Sequence, residues 1–237
     1  MMKKKKNTSL VNVRGRDKGI SEFTNSKSKF KTQMDKNIID DNALKSVRIR
    51  EQEWMVENLN VEHFRNGDII PEAKTDEDWE KADDEKRPAW CYYDNDISNG
   101  EKYGKLYNWY AVSDWRGLAP EGWHVPTHGE WTELTDYLTA NGHSGAEGVA
   151  LKANSGWDDY GGQSGNGTDN YGWSGLPGSV RNYNGCFNRI GASGNWWSCS
   201  QDGMSCAWCR YLFHAHDVVG RDSFEKGEGY SVRCLRD

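Results

Sequence analysis

The sequence has few aliphatic side chains and no long apolar run. Hydrophobic residues fill 35% of its 237 positions, and aromatic residues account for 12%. No stretch approaches the ~20 apolar residues that a membrane-spanning helix requires, so we expect no membrane span. Because 12 tryptophans are present, we expect aromatic side chains to build much of the core.

An apolar segment is also missing where a secretory signal would place one. Residues 1–6 have the positive charge of a signal start, but no apolar run follows in residues 7–18. We therefore predict no classical export. Without export, the thiols of the chain are expected to stay reduced.

Charge is distributed unevenly along the chain. The first forty residues hold 11 Lys or Arg against 4 Asp or Glu, whereas the whole chain has a net charge of −6. This composition predicts a disordered basic tail over residues 1–45 and a folded acidic domain over residues 46–237. We expect no nucleic acid to bind through the acidic domain. The basic tail is the segment expected to contact an assembly partner or an anionic surface.

No complete metal-binding motif accompanies the cysteines. Cys206 and Cys209 have C-x-x-C spacing, but no second pair at zinc-finger spacing follows them. His214 and His216 would complete a four-ligand set in number, yet such ligands on an adjoining strand and loop need a geometry that spacing does not supply. We predict no metal site and no cofactor.

The clearest helix signal lies in the middle of the chain. Thr127 and Glu130 form a capping-box pattern at a helix start. Trp131, Leu134 and Leu138 follow at the spacing of one buried helical stripe. The pattern therefore predicts a structural helix.

Two weaker helix signals flank it. Thr75 precedes an acidic helix candidate that runs to about Glu85. Ser144 with Glu147 repeats the capping pattern before a short helix over residues 149–152.

Strands are predicted at both ends of the domain. A strand pair is expected over residues 47–54 and 54–61, and short strands separated by Gly and Asn turns run from residue 179 to the C-terminus. Helices in the middle and strands towards the end predict an α+β domain.

A series of aromatic motifs stands in order over residues 47–237. The motifs are Trp54-Met-Val-Glu-Asn-Leu-Asn, Ala89-Trp-Cys-Tyr-Tyr-Asp-Asn-Asp, Tyr103-Gly-Lys-Leu-Tyr-Asn-Trp-Tyr-Ala-Val, Gly122-Trp-His-Val-Pro-Thr, Trp131-Thr-Glu-Leu, Trp173-Ser-Gly-Leu-Pro-Gly, Asn195-Trp-Trp-Ser and Ser231-Val-Arg-Cys-Leu-Arg-Asp. Together they resemble the Fibrobacter succinogenes major paralogous domain.

The resemblance implies a fold and a mode of ligand binding. That family is similar to the C-type-lectin-like fold, in which two helices support a twisted antiparallel sheet with irregular loops. Its members are often surface proteins. Some resemble the variable proteins of diversity-generating retroelements, in which a C-terminal binding face is mutated at the adenines of chosen codons.

The segment 207–213 is predicted to be a strand with two different faces. Alternation places Trp208 and Leu212 towards the core and Cys209, Tyr211 and Phe213 towards solvent. An exposed apolar face marks an interaction site. The alternative is a strand buried on both faces.

We call the residues expected to bind ligand the display positions. Most of them stand where the family's pattern has Asn, and His214 joins them as a polar neighbour. They are Cys199, Asp202, Gly203, Ser205, Cys206, Cys209, Tyr211, Phe213, His214, Ala215, His216, Val218, Gly220, Asp222, Ser223 and Phe224. The residues between them are expected to form a buried frame: Trp196, Trp197, Ala207, Trp208, Arg210, Leu212, Val219, Arg221, Val232 and Arg233.

The residues found at the display positions are consistent with randomised Asn codons. Randomising both adenines of an AAC or AAT codon cannot give Lys, Glu, Gln, Met or Trp. None of the display positions holds any of these residues, although Gln201 and Met204 lie among them as non-members.

The resulting hypothesis is a ligand-binding module for receptor recognition or adhesion, and not an enzyme. Retroelement mutagenesis at Asn-type codons would diversify its C-terminal face, and the ligand would be a protein or glycan on a cell surface. Tyr211, Phe213 and Phe224 would anchor it, because rigid rings supply contact area at low entropic cost. We expect a cytoplasmic or phage-particle location, or surface display by a non-classical route.

Three alternatives remain open on the sequence. The chain end resembles, more faintly, the formylglycine-generating enzymes, which are copper and cysteine oxidases. Cys199 with Cys206 or Cys209 would imitate their cysteine pair, although neither spacing is that family's. A calcium-independent glycan-binding lectin and a purely structural assembly subunit are the other two.

Overall fold

The computed structural model describes residues 44–237, so nearly all of the expected tail lies outside the described residues. Its helices are Asp76–Asp84 (α1), Ile97–Tyr103 (α2), Trp109–Val112 (α3), His128–Leu138 (α4) and Glu147–Leu151 (α5), with a 3-10 turn at Tyr93–Asn95 and a π-helical turn at Thr139–His143. Its strands are Ser46–Ile49 (β1), Gln52–Met55 (β2), Trp90–Cys91 (β3), Leu106–Tyr107 (β4), Trp123–His124 (β5), Val180–Arg181 (β6), Phe187–Asn188 (β7), Ser193–Asp202 (β8), Cys206–Phe213 (β9), Gly220–Glu225 (β10) and Leu235–Arg236 (β11).

This combination of helices and antiparallel strands makes the described part of the chain an α+β domain, as predicted. Among residues 44–237, no helix has both the length and the apolar character needed to cross a bilayer.

The start and the end of the described chain meet in one sheet. Its strand order is β1-β2-β11-β5, and Leu235 of β11 pairs with Trp54 of β2 and with His124 of β5. The turn between β1 and β2 falls at Arg50, whose φ is 57°. Both strands of this hairpin therefore precede residue 56, and the expectation of a second strand over residues 54–61 is wrong.

Helix α4 forms as its sequence predicts. The Thr127 side chain accepts a hydrogen bond from the Glu130 amide, and the Glu130 carboxylate accepts one from the Thr127 amide. This capping box satisfies amides that the first helical turn leaves unpaired. The predicted stripe of Trp131, Leu134 and Leu138 is fully buried.

The other two helix signals had different outcomes. Thr75 caps α1 by accepting a hydrogen bond from the Asp78 amide, as predicted. The cap expected at Ser144 is wrong, because Gly145 takes a φ of 77° and interrupts the helical backbone there. Glu147 instead accepts hydrogen bonds from the Gly145 amide and the Thr139 hydroxyl at the end of α4.

Tryptophan rings build the part of the core that lies under α4. Trp54, Trp131, Trp173 and Trp196 are buried together, with ring centroids 4.7 to 6.3 Å apart. Tilted and edge-to-face aromatic contacts at these distances add to the gain from burial. The expectation of an aromatic core is confirmed.

A single side-chain amide joins four separate parts of the chain at this core. The Asn58 Oδ1 atom accepts hydrogen bonds from Trp196 Nε1 at 2.8 Å and from Arg233 Nη2 at 2.8 Å. Its Nδ2 group donates to the carbonyl of Tyr103 at 2.8 Å and to the hydroxyl of Ser231 at 3.2 Å. The amide thus links the segment after β2 to α2, β8 and the C-terminal segment.

We expect Asn58→Leu to lower the free energy of unfolding by at least about 3 kcal/mol, because the buried indole N–H of Trp196 loses its acceptor and the buried guanidinium of Arg233 loses one of its two acceptors. Urea denaturation measures this. Asn154→Leu, in an exposed loop, is the matched control and should change the same quantity by less than about 0.5 kcal/mol. Equal losses in the two variants would contradict the role of Asn58.

Candidate functional site

The C-terminal sheet has β9 at its centre, with strand order β10-β9-β8. Directly paired residues of antiparallel strands point to the same face. Trp197 of β8 and Asp222 of β10 therefore share a face with Cys209, whereas Trp196 and Arg221 share the opposite face with Arg210. Separate core clusters cover the two faces.

This arrangement corrects the expected exposure of Cys209. Its side chain is fully buried in the cluster that contains Trp197 and Tyr230, whose rings lie 4.4 Å apart. Tyr211 and Phe213, on the same side of β9, are half-buried. Between residues 207 and 212 the strand is thus close to the alternative given in the sequence analysis, a strand buried on both faces.

The other display positions all keep contact with solvent. Six are exposed: Asp202, Gly203, Ser205, His216, Val218 and Asp222. Nine are half-buried: Cys199, Cys206, Tyr211, Phe213, His214, Ala215, Gly220, Ser223 and Phe224. Most of the expected frame is buried, but Trp208 and Val219 are half-buried and Arg221 is exposed, so the expectation is wrong for these three.

The display positions do not form one continuous patch. A tip group, the display positions within residues 202–206, lies at the β8–β9 turn, and a loop group, the display positions within residues 213–218, lies at and beyond the other end of β9. The length of β9 separates them by roughly 23 Å. Tyr211, Asp222 and Phe224 lie between the two groups along one face of the sheet.

The main chain of the loop group is held by atoms that do not belong to its side chains. The His214 amide donates to the carbonyl of Ala192 at 2.8 Å. The ammonium of Lys152, which is itself buried, donates to the carbonyl of His216 at 2.8 Å. Burial lowers the pKa of Lys152, and bonding to a carbonyl compensates part of the desolvation of its charge.

The tip group is held in the same way. Lys226 Nζ donates to the carbonyl of Met204 at 2.9 Å, and the Lys226 amide donates to the carbonyl of Ser205 at 2.9 Å. The Lys226 ammonium also lies 4.6 Å from the ring centroid of Trp109. Met204 itself, at the tip, is 97% exposed.

Cys199 lies in a bulge of β8. Residues 198–200 stand opposite Trp208 alone, so the register of β8 shifts there. The Cys199 amide donates to the carbonyl of Pro126 at 2.9 Å, and the His128 amide donates to the hydroxyl of Ser200 at 3.0 Å. The bulge is therefore fastened to the start of α4, next to the capping box.

One residue outside the expected set belongs to this site. Tyr160 is 60% exposed, and its ring centroid lies 5.2 Å from that of His214. Phe213 lies 4.6 Å from His214 and 5.2 Å from His216. We call these four residues the aromatic cluster. The sequence signal for Tyr160 was weak, because the aromatic residues of the Gly-rich stretch 156–175 show no strand or helix periodicity.

Gly220 orients the ring of Tyr211. A Cβ atom at Gly220 would lie 2.1 Å from the Tyr211 ring, so only glycine lets the ring lie over β10. The pairing of Gly220 with Tyr211 in the strand register places this contact at the edge of the sheet. Any larger residue at position 220 would turn Tyr211 outward.

Two cysteines of the site, Cys199 and Cys209, are ill suited to nucleophilic chemistry. All six cysteines of the chain are free. Burial raises the pKa of Cys209 far above its usual range and also raises that of Cys199. A thiolate is the reactive form of cysteine. Within residues 44–237, no group of three or more His, Cys, Asp or Glu side chains is placed to hold a metal ion.

The fold and the site together define a class of protein, an α+β domain whose central C-terminal strand is flanked at both ends by turns with solvent-exposed side chains. The chain matches the family model of the Fibrobacter succinogenes major domain over residues 47–236, and it belongs to this family. The resemblance drawn from the motifs is confirmed. Searches among curated proteins and among solved structures gave no match.

We expect iodoacetamide to label the cysteines of the native protein at different rates near pH 8, a pH within the ordinary titration range of a free thiol. Exposed Cys186 should be labelled first, whereas Cys209 should resist until the protein is unfolded, because it is buried and its pKa is raised. Peptide mass spectrometry measures each site. Labelling in guanidinium chloride is the control. Labelling of native Cys209 at the rate of Cys186 would contradict its burial.

Proposed function

We propose that this domain is a binding module for receptor recognition or adhesion. In this proposal the display positions, with Cys209 removed and Tyr160 added, contact a protein or glycan on a cell surface. Retroelement mutagenesis at Asn-type codons diversifies them. A C-type-lectin-like fold is part of the same proposal, and the α+β composition with a C-terminal antiparallel sheet supports it.

One observation carries the proposal. The backbone of the tip and loop groups is held by side chains and main-chain atoms from outside the set, such as Lys152, Lys226 and Ala192. Replacing a side chain of either group therefore leaves these bonds intact, whereas the Asp222 carboxylate accepts a hydrogen bond from the Ser223 amide within the set. A surface built in this way tolerates many side chains on one backbone, as antibody loops on a rigid scaffold do.

The size of the site favours a macromolecular ligand. The tip and loop groups lie roughly 23 Å apart along β9, and one side of a standard protein–protein interface covers about 800 Å², a patch roughly 30 Å across. A protein surface can thus contact both groups at once. The aromatic cluster supplies anchors at one end of that patch, where rigid rings contribute most to binding.

A glycan is the second candidate, and the aromatic cluster favours it. Tyr160 and His216 are exposed members of this cluster, and flat rings offer apolar faces beside polar groups. A glycan array, read with and without a chelator, separates calcium-independent sugar binding from protein recognition.

The cysteine chemistry argues against the oxidase alternative. Buried Cys209 and half-buried Cys199 have raised pKa values, which disfavour the thiolate that such chemistry requires. We therefore propose a binding role without catalysis.

Sequencing the same locus in sibling isolates tests the diversification. We expect substitutions to concentrate at the display positions other than Cys209, with a near-copy of the terminal coding segment and a reverse transcriptase gene nearby. Substitutions scattered evenly over residues 47–237, without those neighbouring elements, would refute it.

Three asparagine variants test, in the purified protein, which of the display positions tolerate a new side chain. We expect Phe213→Asn and His216→Asn to change the free energy of unfolding by less than about 1 kcal/mol, because these side chains contact solvent. Cys209→Asn should lower it by at least about 2 kcal/mol, since it places an amide in an apolar cluster. Urea denaturation measures all three. A tolerated Cys209→Asn would return this residue to the diversified set.

A further inference from the structure

A cleft of about 250 Å³ lies between α4 and the strands β9 and β10. It opens on the face of the sheet that carries Arg210, opposite the face of Tyr211 and Asp222. None of its lining residues is a display position, so the cleft is separate from the proposed ligand-binding surface.

The sheet side of the cleft is positively charged. Arg210 is only 2% exposed, and its guanidinium donates to the carbonyl of His128 at 3.2 Å, to the hydroxyl of Thr132 at 3.0 Å and to the carbonyl of Cys209 at 3.1 Å. Among the described residues, no carboxylate lies within ion-pair distance of it. Arg221 stands directly opposite Arg210 in the strand register and also lines the cleft.

The charge of this side affects its neighbours. Burial and then the nearby charge of Arg221 lower the pKa of Arg210 to about 10. Burial, Arg210 and Arg221 together lower the pKa of His128, which packs against the Trp208 ring at 4.3 Å. Two like charges in a partly buried site repel each other, and an anion between them would relieve that repulsion.

The helix side of the cleft has the opposite character. Thr132, Thr135, Asp136 and Thr139 lie at successive i, i+3, i+4 and i+7 positions of one face that runs from α4 into the following turn. The hydroxyls of Thr132 and Thr135 donate to backbone carbonyls of the helix, at 2.9 Å in each case, so their oxygens face the cleft as acceptors, although one lone pair of Thr132 is already used by Arg210. The carboxylates of Asp136 and Glu147 add negative charge to this side.

We propose that this cleft binds a small zwitterion of the α-amino acid type. The carboxylate of the ligand lies against Arg210 and Arg221, and its ammonium group lies against Asp136 and the threonine oxygens. The two guanidinium groups and the Asp136 carboxylate then each meet a group of opposite charge.

Ligands with a single charge fit this lining less well. A simple oxyanion would satisfy the arginines but leave the acidic side of a small cleft facing another negative charge. A simple amine would satisfy the acidic side but place a second positive charge beside Arg210, whose own charge is buried. A zwitterion also matches the donors of one side and the acceptors of the other.

Titration calorimetry of the full chain with each of the common L-α-amino acids tests the proposal. We expect at least one to bind with a Kd of about 1 mM or tighter. Its N-acetyl derivative, which lacks the ammonium, and its amide, which lacks the carboxylate, should each bind at least ten times more weakly. The proposal is overturned if no amino acid binds, or if either derivative binds as tightly as the amino acid itself. It is also overturned if inorganic phosphate, which has no ammonium group, binds as tightly as the amino acid.

Two exposed lining residues locate the binding. We expect Arg221→Gln and Asp136→Asn each to raise the Kd at least tenfold without lowering the melting temperature, because both side chains contact solvent. Arg48→Gln and Glu133→Gln remove equivalent exposed charges outside the cleft and should leave the Kd unchanged. Unchanged binding in both lining variants would place the ligand elsewhere and overturn the assignment.

Discussion

The carboxamide of Asn58 determines where the C-terminal segment of this domain can lie. Its oxygen accepts hydrogen bonds from Arg233 and Trp196, and its nitrogen donates to the Ser231 hydroxyl. Arg233 is buried, and among the described residues no carboxylate pairs with it. Its charge depends on this amide oxygen, on the carbonyl of Trp173 and on the Trp173 ring 3.9 Å away. A buried cation is tolerated only when its donors are satisfied.

The orientation of the C-terminal sheet follows from that contact. Once Trp196 is fixed beside Asn58, alternation along β8 directs Trp197 to the other face, where its indole N–H donates to the carbonyl of Tyr107 at 2.9 Å. Cys209, paired with Trp197, is then covered. Solvent reaches the central strand mainly at its two ends. Contacts with residues on both sides of the site in sequence, such as Asn58, Tyr107 and Tyr230, thus decide which side chains of the central strand are covered.

The accuracy of sequence reasoning here depended on the range of the interactions involved. The capping box of α4 involves two residues three apart, so the sequence alone predicted it correctly. The burial of Cys209 depends on Trp197 and Tyr230, which lie on separate segments, and alternation within β9 could not reveal which face they cover. The role of Tyr160 depends on a loop that approaches His214 in space. Burial that depends on contacts between distant segments leaves no local pattern in the sequence.

The three buried arginines of the domain differ in how their charges are compensated. Arg181 has the carboxylate of Asp76 at 3.1 Å and the rings of Trp79 and Phe187 within 5 Å. Arg233 has an amide oxygen and two tryptophan rings. Arg210 has hydrogen bonds to neutral acceptors, but among the described residues neither a carboxylate nor an aromatic face is within reach, and it borders a cleft. A buried cation of this kind costs stability, and an anionic group entering the cleft would offset that cost.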